Sequence, residues 1–142
     1  MTANQQHFEK KKVLFVCRHN AARSQMAEAI LKMSRGNRYE AYSAGTETSA
    51  VHPMTISVLQ EIGIGCSGCR AKSLDELAGI DFDLVITLCD QAREACPYVP
   101  GAAVMHMGFD NPVDATVTEN EQLKVFRKVR EEIRQWIEKE FI

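Results

Sequence analysis

The sequence predicts an α/β domain built on a four-stranded parallel sheet with helices on both faces. Short apolar runs alternate along the chain with longer amphipathic segments, as in successive βαβ units. The composition fits one globular domain, because 45% of the 142 residues are hydrophobic, 25% are charged and the formal net charge is −2. We predict a flexible N-terminal extension over residues 1–11 and a single domain over residues 12–142.

Four short runs rich in apolar, β-branched or aromatic residues are the predicted strands. They lie at residues 12–16, 39–43, 84–88 and 103–107. In a parallel sheet the binding sites form beyond the carboxyl ends of the strands. The loops that follow these four runs are therefore the places where we expect functional residues.

Helices are predicted at residues 21–33, 53–62, 90–95 and from 119 to the end. Pro53 suits the first turn of the second helix and Gly63 suits its end. The last helix has one apolar stripe at three- and four-residue spacing. This stripe consists of Leu123, Phe126, Val129, Ile133 and Ile137.

Composition also excludes several classes of protein. An isoelectric point near 6.1 gives no basic excess for binding nucleic acid. No segment approaches the roughly 18 apolar residues of a membrane helix, and no signal peptide core is present. We therefore expect a cytoplasmic monomer that binds neither nucleic acid nor membrane. In a reducing compartment, its five cysteines are expected to serve catalysis, redox cycling or metal binding.

The loop Cys17-Arg18-His19-Asn20-Ala21-Ala22-Arg23-Ser24 lies between the first strand and the first helix. Its N–H groups and the helix N-terminus can surround a tetrahedral oxyanion, and Arg23 adds a planar, charged fork. This positive field favours the nucleophilic thiolate of Cys17, to which Ser24 can donate a hydrogen bond. Asn20 tolerates the left-handed backbone that would shape the loop. We predict an oxyanion site with Cys17 as nucleophile and residues 18–24 as the binding loop.

The segment VLFVCRHNAARSQMAE, residues 13–28, resembles the anion loop of the low-molecular-weight protein tyrosine phosphatase fold. It is most similar to the thioredoxin-coupled arsenate reductases built on that fold. The similarity continues at residues 42–45, 84–89, 96–97 and 108–112, and so covers nearly the whole chain from Lys12. The resemblance implies reduction of arsenate without a tightly bound cofactor. Phosphate or sulfate would fit the same loop.

The resemblance also implies a relay of three cysteines. Cys17 would form an adduct with arsenate, Cys89 would be the second thiol, and Cys96 would resolve the bond. The Cys89–Cys96 disulfide would then be reduced by thioredoxin, with glutaredoxin or another thiol left open as the partner. On an intact helix the two Cα atoms would lie about 10 Å apart, beyond the roughly 7 Å limit of a disulfide. We therefore expect residues 89–96 to unwind during the cycle.

Asp110 follows the fourth predicted strand, at the sheet edge expected to hold Cys17. The resemblance implies that it is the general acid that protonates the departing oxygen. From sequence alone, a turn aspartate before Asn111-Pro112 is equally consistent.

Two other classes of function are open to this sequence. A low-molecular-weight protein tyrosine phosphatase would use Cys17, Arg23 and Asp110 alone. That family places a tyrosine shortly after its Asp-Pro, and residues 111–114 contain none. A non-catalytic anion sensor would not need Cys89 and Cys96, and we therefore favour the reductase.

Cys66-Ser67-Gly68-Cys69 is a Cys-x-x-Cys motif that follows the end of a predicted helix. A thioredoxin-like pair should follow a strand and begin a helix, and a zinc site needs two further ligands at suitable spacing. We therefore interpret the motif as a structural loop, with an accessory disulfide left open.

Some relatives bind potassium beside the anion loop through four groups. Asn20, Glu28 and Ser43 match three of these, and Lys72 stands at the fourth position, where relatives have a carboxylate. We expect the Lys72 ammonium to take the cation's place and to pair with Glu28. No metal site is therefore predicted.

Overall fold

Four parallel strands form a single sheet in the computed structural model, which describes residues 9–47, 49–66, 68–96, 99, 101–114 and 116–142. The strands are β1 (Lys11–Cys17), β2 (Tyr39–Gly45), β3 (Leu84–Thr87) and β4 (Ala103–His106). Their order across the sheet is β2-β1-β3-β4. The predicted parallel sheet is confirmed, and each predicted strand end lies within two residues of the observed one.

Four α-helices connect or follow these strands. They are α1 (Arg23–Arg35), α2 (Pro53–Gln60), α3 (Asp90–Ala95) and α4 (Glu119–Glu140). Helix α1 begins two residues later than predicted, because Ala21 and Ala22 still belong to the anion loop and Ala22 has a non-helical φ of −138°. A short 3-10 helix at Leu74–Leu77 was not predicted, although a capping box between Ser73 and Glu76 marks its start.

The core lies between the sheet and the long helix α4. Phe15 of β1 is fully buried and makes edge-to-face contacts with the rings of Trp136 and Phe141. The predicted apolar stripe of α4 is confirmed, because four of its five members are buried and Leu123 packs against them. Helix α1 packs against β1, β2 and α4, so the helix that follows the anion loop is held firmly in place.

The strand order reverses direction at β1, which has β2 on one side and β3 on the other. At such a switch point the loops after the two central strands diverge and leave a crevice at the carboxyl end of the sheet. The anion loop follows β1, and α3 begins within three residues of the end of β3. The topology therefore brings the anion loop and the Cys89–Cys96 segment to the same edge.

Two further predictions concern membrane-spanning helices and the N-terminal extension. No helix among the described residues is long and apolar enough to cross a membrane. The predicted N-terminal extension lies largely outside the described residues, and Lys11 is already the first residue of β1.

An ion cluster joins the end of α2 to α4. Glu61 follows α2, where a carboxylate faces the negative end of the helix dipole. It accepts hydrogen bonds from Arg127 Nη2 at 2.6 Å and from Arg130 Nη1 at 2.7 Å. Arg130 is largely buried and also donates to the Val58 carbonyl at 2.9 Å. The hydrogen bond from Arg127, together with that from Arg130, lowers the pKa of Glu61 to about 2.

Replacement of Glu61 by glutamine tests this cluster. We expect Glu61→Gln to lower the free energy of unfolding by about 0.5–1 kcal/mol at pH 7, since the pair is partly exposed. The lowered pKa means that the stabilisation is present above pH 4.5 and is lost as the pH falls toward 2. Urea unfolding at pH 7, 5 and 3 measures the difference. The exposed Glu140→Gln variant is the control, and a pH-independent gap between wild type and Glu61→Gln would contradict the assignment.

Candidate functional site

A surface cavity of about 330 Å³ lies over Cys17 at the carboxyl end of β1. Part of its wall is the anion loop, and the rest comes from segments that are distant in sequence. The loop contributes Arg18, His19, Ala21, Ala22 and Arg23, and the other segments contribute Ser49, Ala50, His52, Gln91, Asn111 and Val113. The structure therefore brings the predicted loop to a concave surface that is large enough for an oxyanion.

Backbone contacts fix the shape of the anion loop. Asn20 has the predicted left-handed backbone, with φ at 57°, and its side chain is fully buried. The carbonyl oxygens of Arg18 and Ala21 accept hydrogen bonds from the backbone N–H groups of Glu47 and His52, at 2.8 and 3.0 Å. Because these carbonyls are engaged elsewhere, the loop can present its N–H groups to an anion.

Gly45, the last residue of β2, allows a close approach to this loop. An added Cβ would lie 2.8 Å from the Arg18 carbonyl oxygen and 2.8 Å from that of Glu47. Only glycine fits at this position without displacement of the backbone that shapes the loop.

Arg23 lines the cavity and is largely buried. Its Nη1 donates to the Phe109 carbonyl oxygen at 3.2 Å, and the Phe109 N–H donates to the Leu88 carbonyl at 3.0 Å. The guanidinium is thus held by the segment after β4, which is itself bonded to the residue after β3. An arginine fixed in this way can offer its remaining N–H groups to two oxygens of one anion.

A chain of buried hydrogen bonds leads from Lys72 to the thiol of Cys17. The Lys72 backbone N–H donates to Asn20 Oδ1 at 2.9 Å, so the amide nitrogen Nδ2 faces the other way and donates to Ser24 Oγ at 2.8 Å. With that oxygen already accepting, the Ser24 hydroxyl hydrogen is free to point at Cys17 Sγ, 2.8 Å away. A backbone donor therefore sets the polarity of the network, and that polarity places a hydroxyl donor against Cys17 Sγ.

Gln25 completes this network. Its Nε2 donates to Asn20 Oδ1 and to the Arg70 carbonyl oxygen, both at 2.9 Å. We did not identify Gln25 from the sequence, because nothing in its position one residue after Ser24 distinguishes it from an ordinary helix residue.

The predicted pairing of Lys72 with Glu28 is confirmed. The Lys72 ammonium lies 3.6 Å from Glu28 Oε1, and both side chains are mostly buried. Ser43 donates to the same carboxylate oxygen, and Lys32 binds its other oxygen at 2.7 Å. Within the described part of the chain, no group of three or more His, Cys, Asp and Glu side chains could hold a metal ion.

Cys89 and Cys96 are free thiols at the two ends of α3. Cys89 is buried, and its sulfur accepts a hydrogen bond from the Ala92 N–H at 3.4 Å. Cys96 is half-buried, and this burial raises the pKa of its thiol. Cys89 does not line the cavity over Cys17, although Gln91 of α3 does. Helix α3 ends at Ala95, as predicted, and Pro97 lies outside the described residues.

The structure does not bring Asp110 to the cavity over Cys17. Asp110 is exposed and lines a second cavity, of about 450 Å³, together with Trp136 and Lys139. The neighbouring Asn111 lines the Cys17 cavity instead, and its Oδ1 accepts a hydrogen bond from the Val113 N–H at 3.1 Å. Asp110 and Asn111 therefore line different cavities, and the role of Asp110 as the general acid stays a prediction.

His52 is the N-cap of α2, directly before Pro53. Its Nδ1 accepts from the Met54 N–H at 3.1 Å, so the proton of the neutral ring lies on Nε2. Burial lowers the pKa of His52, which keeps the ring neutral at pH 7. The sequence did not indicate that this ring would also line the cavity.

A disulfide joins Cys66 and Cys69, with their Cα atoms 5.1 Å apart. This is the accessory disulfide that the sequence left open. It lies in the connection between α2 and the 3-10 helix, one residue before Arg70. Ser67 lies outside the described residues.

The comparisons with known proteins agree with this geometry. A sequence profile described as low molecular weight phosphotyrosine protein phosphatase matches residues 12–141. An arsenate reductase of Halalkalibacterium halodurans is 41% identical over 125 residues, which cover 87% of this chain and 90% of that protein.

Solved structures are similar as well. A structure described as an arsenate reductase in the phosphate binding state has a TM-score of 0.74 at 31% identity, and the match covers 91% of this chain and 95% of that one. A thioredoxin-dependent arsenate reductase of Corynebacterium glutamicum has a TM-score of 0.67 at 28% identity. That match covers 97% of this chain and 65% of that one.

Replacement of Ser24 by alanine tests the polarity of the thiol network. Ser24→Ala removes the donor to Cys17 and leaves the buried Asn20 amide without its acceptor. We expect the alkylation of Cys17 by iodoacetamide at neutral pH to slow about tenfold, the equivalent of one lost buried hydrogen bond. Peptide mass spectrometry measures the rate at Cys17.

The control for this experiment is Ser34→Ala. Ser34 lies on the same helix, and its hydroxyl donates to the Ile30 carbonyl far from the cavity. Equal alkylation rates in wild type and both variants would mean that Ser24 does not act on the thiol.

Proposed function

The chain belongs to the low molecular weight phosphotyrosine protein phosphatase family, and we propose that it is the kind of enzyme in that family that reduces arsenate to arsenite. The anion loop receives the arsenate, and three cysteines carry the two electrons of the reaction. The activity follows the relatives described as arsenate reductases, which match nearly the whole of this chain.

One observation carries the proposal beyond family membership. Helix α3 contributes Gln91 to the cavity over Cys17 and is capped at both ends by free cysteines. A phosphatase has no use for a thiol at either end of this helix. A reductase with an internal relay uses both thiols, because the two electrons given to arsenic come from two thiols that are left joined as a disulfide.

The first step is an attack of the Cys17 thiolate on arsenic. A sulfur–arsenic bond forms, and one arsenate oxygen departs with a proton as hydroxide or water. Arg23 and the N–H groups of residues 18–24 hold the remaining oxygens, and Ser24 stabilises the thiolate before the attack. Arsenic is still in its higher oxidation state after this step.

The second step transfers the electrons. The Cys89 sulfur attacks Cys17 Sγ and forms a Cys17–Cys89 disulfide. The electron pair of the sulfur–arsenic bond stays on arsenic, which leaves as arsenite. Cys96 then attacks Cys89, so that a Cys89–Cys96 disulfide forms and Cys17 returns as a thiolate.

Helix α3 must open for this last exchange. Cys89 and Cys96 are its two caps, so their Cα atoms are about 10 Å apart while the helix is intact. A disulfide requires about 7 Å or less. Burial raises the pKa of Cys96, and opening of the helix removes that burial at the moment when the thiol must react.

An external dithiol closes the cycle by reducing the Cys89–Cys96 disulfide. Thioredoxin is the partner that we propose, because a structural relative is described as thioredoxin-dependent. A location in the cytoplasm fits this chemistry, since the relay starts from three reduced thiols. We propose that the protein works without a tightly bound cofactor.

The lining of the cavity argues against a phosphatase. Hydrolysis of a phosphate ester needs an acid to protonate the leaving group. Among the described residues, those that line the Cys17 cavity include Asn111 and no aspartate or glutamate. Phosphate and arsenate have nearly the same shape, so the loop is expected to bind both while it turns over only arsenate.

Separate substitutions of Asp110 and Asn111 test which of these two side chains contributes to arsenate reduction at the Cys17 cavity. We expect Asp110→Asn to keep arsenate reduction within about twofold of wild type, because the carboxylate lies in the other cavity. Asn111→Ala should raise the KM for arsenate about tenfold, since it removes a polar group from the cavity wall. Steady-state kinetics measure both. A large loss of kcat in Asp110→Asn would show that the segment turns Asp110 toward Cys17 during catalysis.

The relay is tested by arsenate-dependent NADPH oxidation with thioredoxin and thioredoxin reductase. We expect turnover in wild type and a loss of about a hundredfold or more in Cys17→Ser, Cys89→Ser and Cys96→Ser. Cys96→Ser should still release one arsenite per chain and accumulate a Cys17–Cys89 disulfide, which mass spectrometry identifies. Cys89→Ser should release none.

Binding of inorganic phosphate is the control for these variants. Cys89→Ser and Cys96→Ser should bind phosphate as wild type does, because neither thiol lines the cavity. Loss of turnover in Cys17→Ser alone would mean that an outside thiol resolves the adduct. Hydrolysis of an aryl phosphate that needs Cys17 alone, without arsenate turnover, would identify a phosphatase.

A further inference from the structure

The Cys66–Cys69 disulfide has no part in the relay, yet it lies beside the residues that orient the anion loop. Cys66 is buried, whereas Cys69 is half-buried and lines an open cavity of about 300 Å³ with Glu28 and Lys32. Arg70 follows Cys69 directly, and Lys72 lies two residues further on. The disulfide therefore constrains the backbone directly before Arg70 and Lys72.

Two backbone groups of this segment hold the buried network. The Arg70 carbonyl accepts from Gln25 Nε2, and the Lys72 N–H donates to Asn20 Oδ1, both at 2.9 Å. From Asn20 the contacts continue through Ser24 to Cys17, each at 2.8 Å. A shift of the segment would take the Lys72 donor from Asn20 and the Arg70 acceptor from Gln25, and hydrogen bonds of buried groups are costly to lose.

The segment is anchored at both ends, and its upstream anchor is the buried Cys66. The Gly45 N–H donates to the Lys72 carbonyl at 2.8 Å, which ties the downstream end to β2. The upstream end contains Gly63, Gly65 and Gly68, and an added Cβ would meet no atom within 4 Å at any of them. The disulfide closes the loop that contains Gly68 and ties Cys69 to the buried Cys66, which removes alternative backbone conformations directly before Arg70.

We propose that the Cys66–Cys69 disulfide is a positioning element for the anion loop. While it is closed, Arg70 and Lys72 stay against Gln25 and Asn20, and the loop keeps the shape that binds an oxyanion. When a dithiol opens it, the segment relaxes and the affinity for the oxyanion falls. The inference rests on the proposed function only in taking arsenate as the natural ligand of the loop.

The opening step is an ordinary thiol–disulfide exchange. A thiolate of the dithiol attacks Cys69 Sγ, the more accessible sulfur, and the Cys66 thiolate departs and takes up a proton. The second thiol of the reductant then attacks the mixed disulfide and releases the Cys69 thiol. The reductant leaves as a disulfide, having supplied both electrons. The pair is thereby a second site for a dithiol, separate from Cys89 and Cys96.

The test measures the binding of inorganic phosphate by titration calorimetry in the full chain carrying Cys89→Ser and Cys96→Ser. In this background dithiothreitol acts on the Cys66–Cys69 pair and not on the relay. We expect reduction to weaken phosphate binding about tenfold, the equivalent of one unpaired buried hydrogen bond, and reoxidation to restore it. Mass spectrometry after alkylation counts the thiols at positions 66 and 69 in each sample.

Two variants complete the experiment. Cys66→Ser with Cys69→Ser, made in the chain with an intact relay, should raise the KM for arsenate about tenfold with little change in kcat, as expected for a loss of binding geometry. Met33→Ala alters the same cavity wall at an exposed side chain that makes no contact with Asn20 or Gln25, and should bind phosphate as wild type does.

Equal phosphate affinity before and after reduction, with two free thiols demonstrated at positions 66 and 69, would overturn the inference. So would a protein whose pair stays reduced in air and yet binds phosphate fully. A failure of this inference can be distinguished from a failure of the proposed function. Redox-dependent phosphate binding without arsenate turnover would leave the inference intact and refute the reductase, and normal turnover with redox-independent binding would do the reverse.

Discussion

The hydrogen bond from the Lys72 N–H to Asn20 Oδ1 determines how the rest of the site is organised. A backbone N–H can only donate, so it fixes which end of the Asn20 amide is the acceptor. That orientation makes Asn20 a donor to Ser24, and Ser24 in turn a donor to Cys17. The anion loop is thus prepared for a thiolate and an oxyanion by a residue about fifty positions away. Because these side chains are buried, each bond in the series is costly to break.

The same loop depends on a balance of charge beside it. Glu28 is mostly buried and is neutralised by Lys72 and Lys32, while Ser43 donates to it as well. A buried carboxylate without such partners would be costly and would repel the anion in the neighbouring loop. Lys72 therefore acts twice, through its backbone on Asn20 and through its ammonium on Glu28. A tethered cation of this kind is always present, whereas a bound ion depends on its concentration.

The second part of the site, helix α3, is weakly held, whereas the anion loop is rigid. Helix α3 has six residues, of which only Ala92 is buried, and it is held largely by its own caps. An element with so few apolar contacts opens at low cost. The rigid loop around Cys17 and the weakly held helix between Cys89 and Cys96 suit the two phases of the proposed reaction. Binding requires a fixed arrangement of donors, and the disulfide relay requires the two ends of α3 to approach each other by about 3 Å or more.

The sequence by itself determined the sheet, the four helices, the anion loop and the left-handed Asn20, because these depend on local patterns that one segment carries. It also predicted the pairing of Lys72 with Glu28, through a resemblance that aligned two distant positions. The tertiary structure alone decided that Asn111 lines the Cys17 cavity and Asp110 a second one, since the cavity that a loop side chain faces depends on the segments packed around it. It alone connected Gln25, Arg70 and the Cys66–Cys69 disulfide to the nucleophile, because hydrogen bonds between residues that are distant in sequence leave no periodic signal.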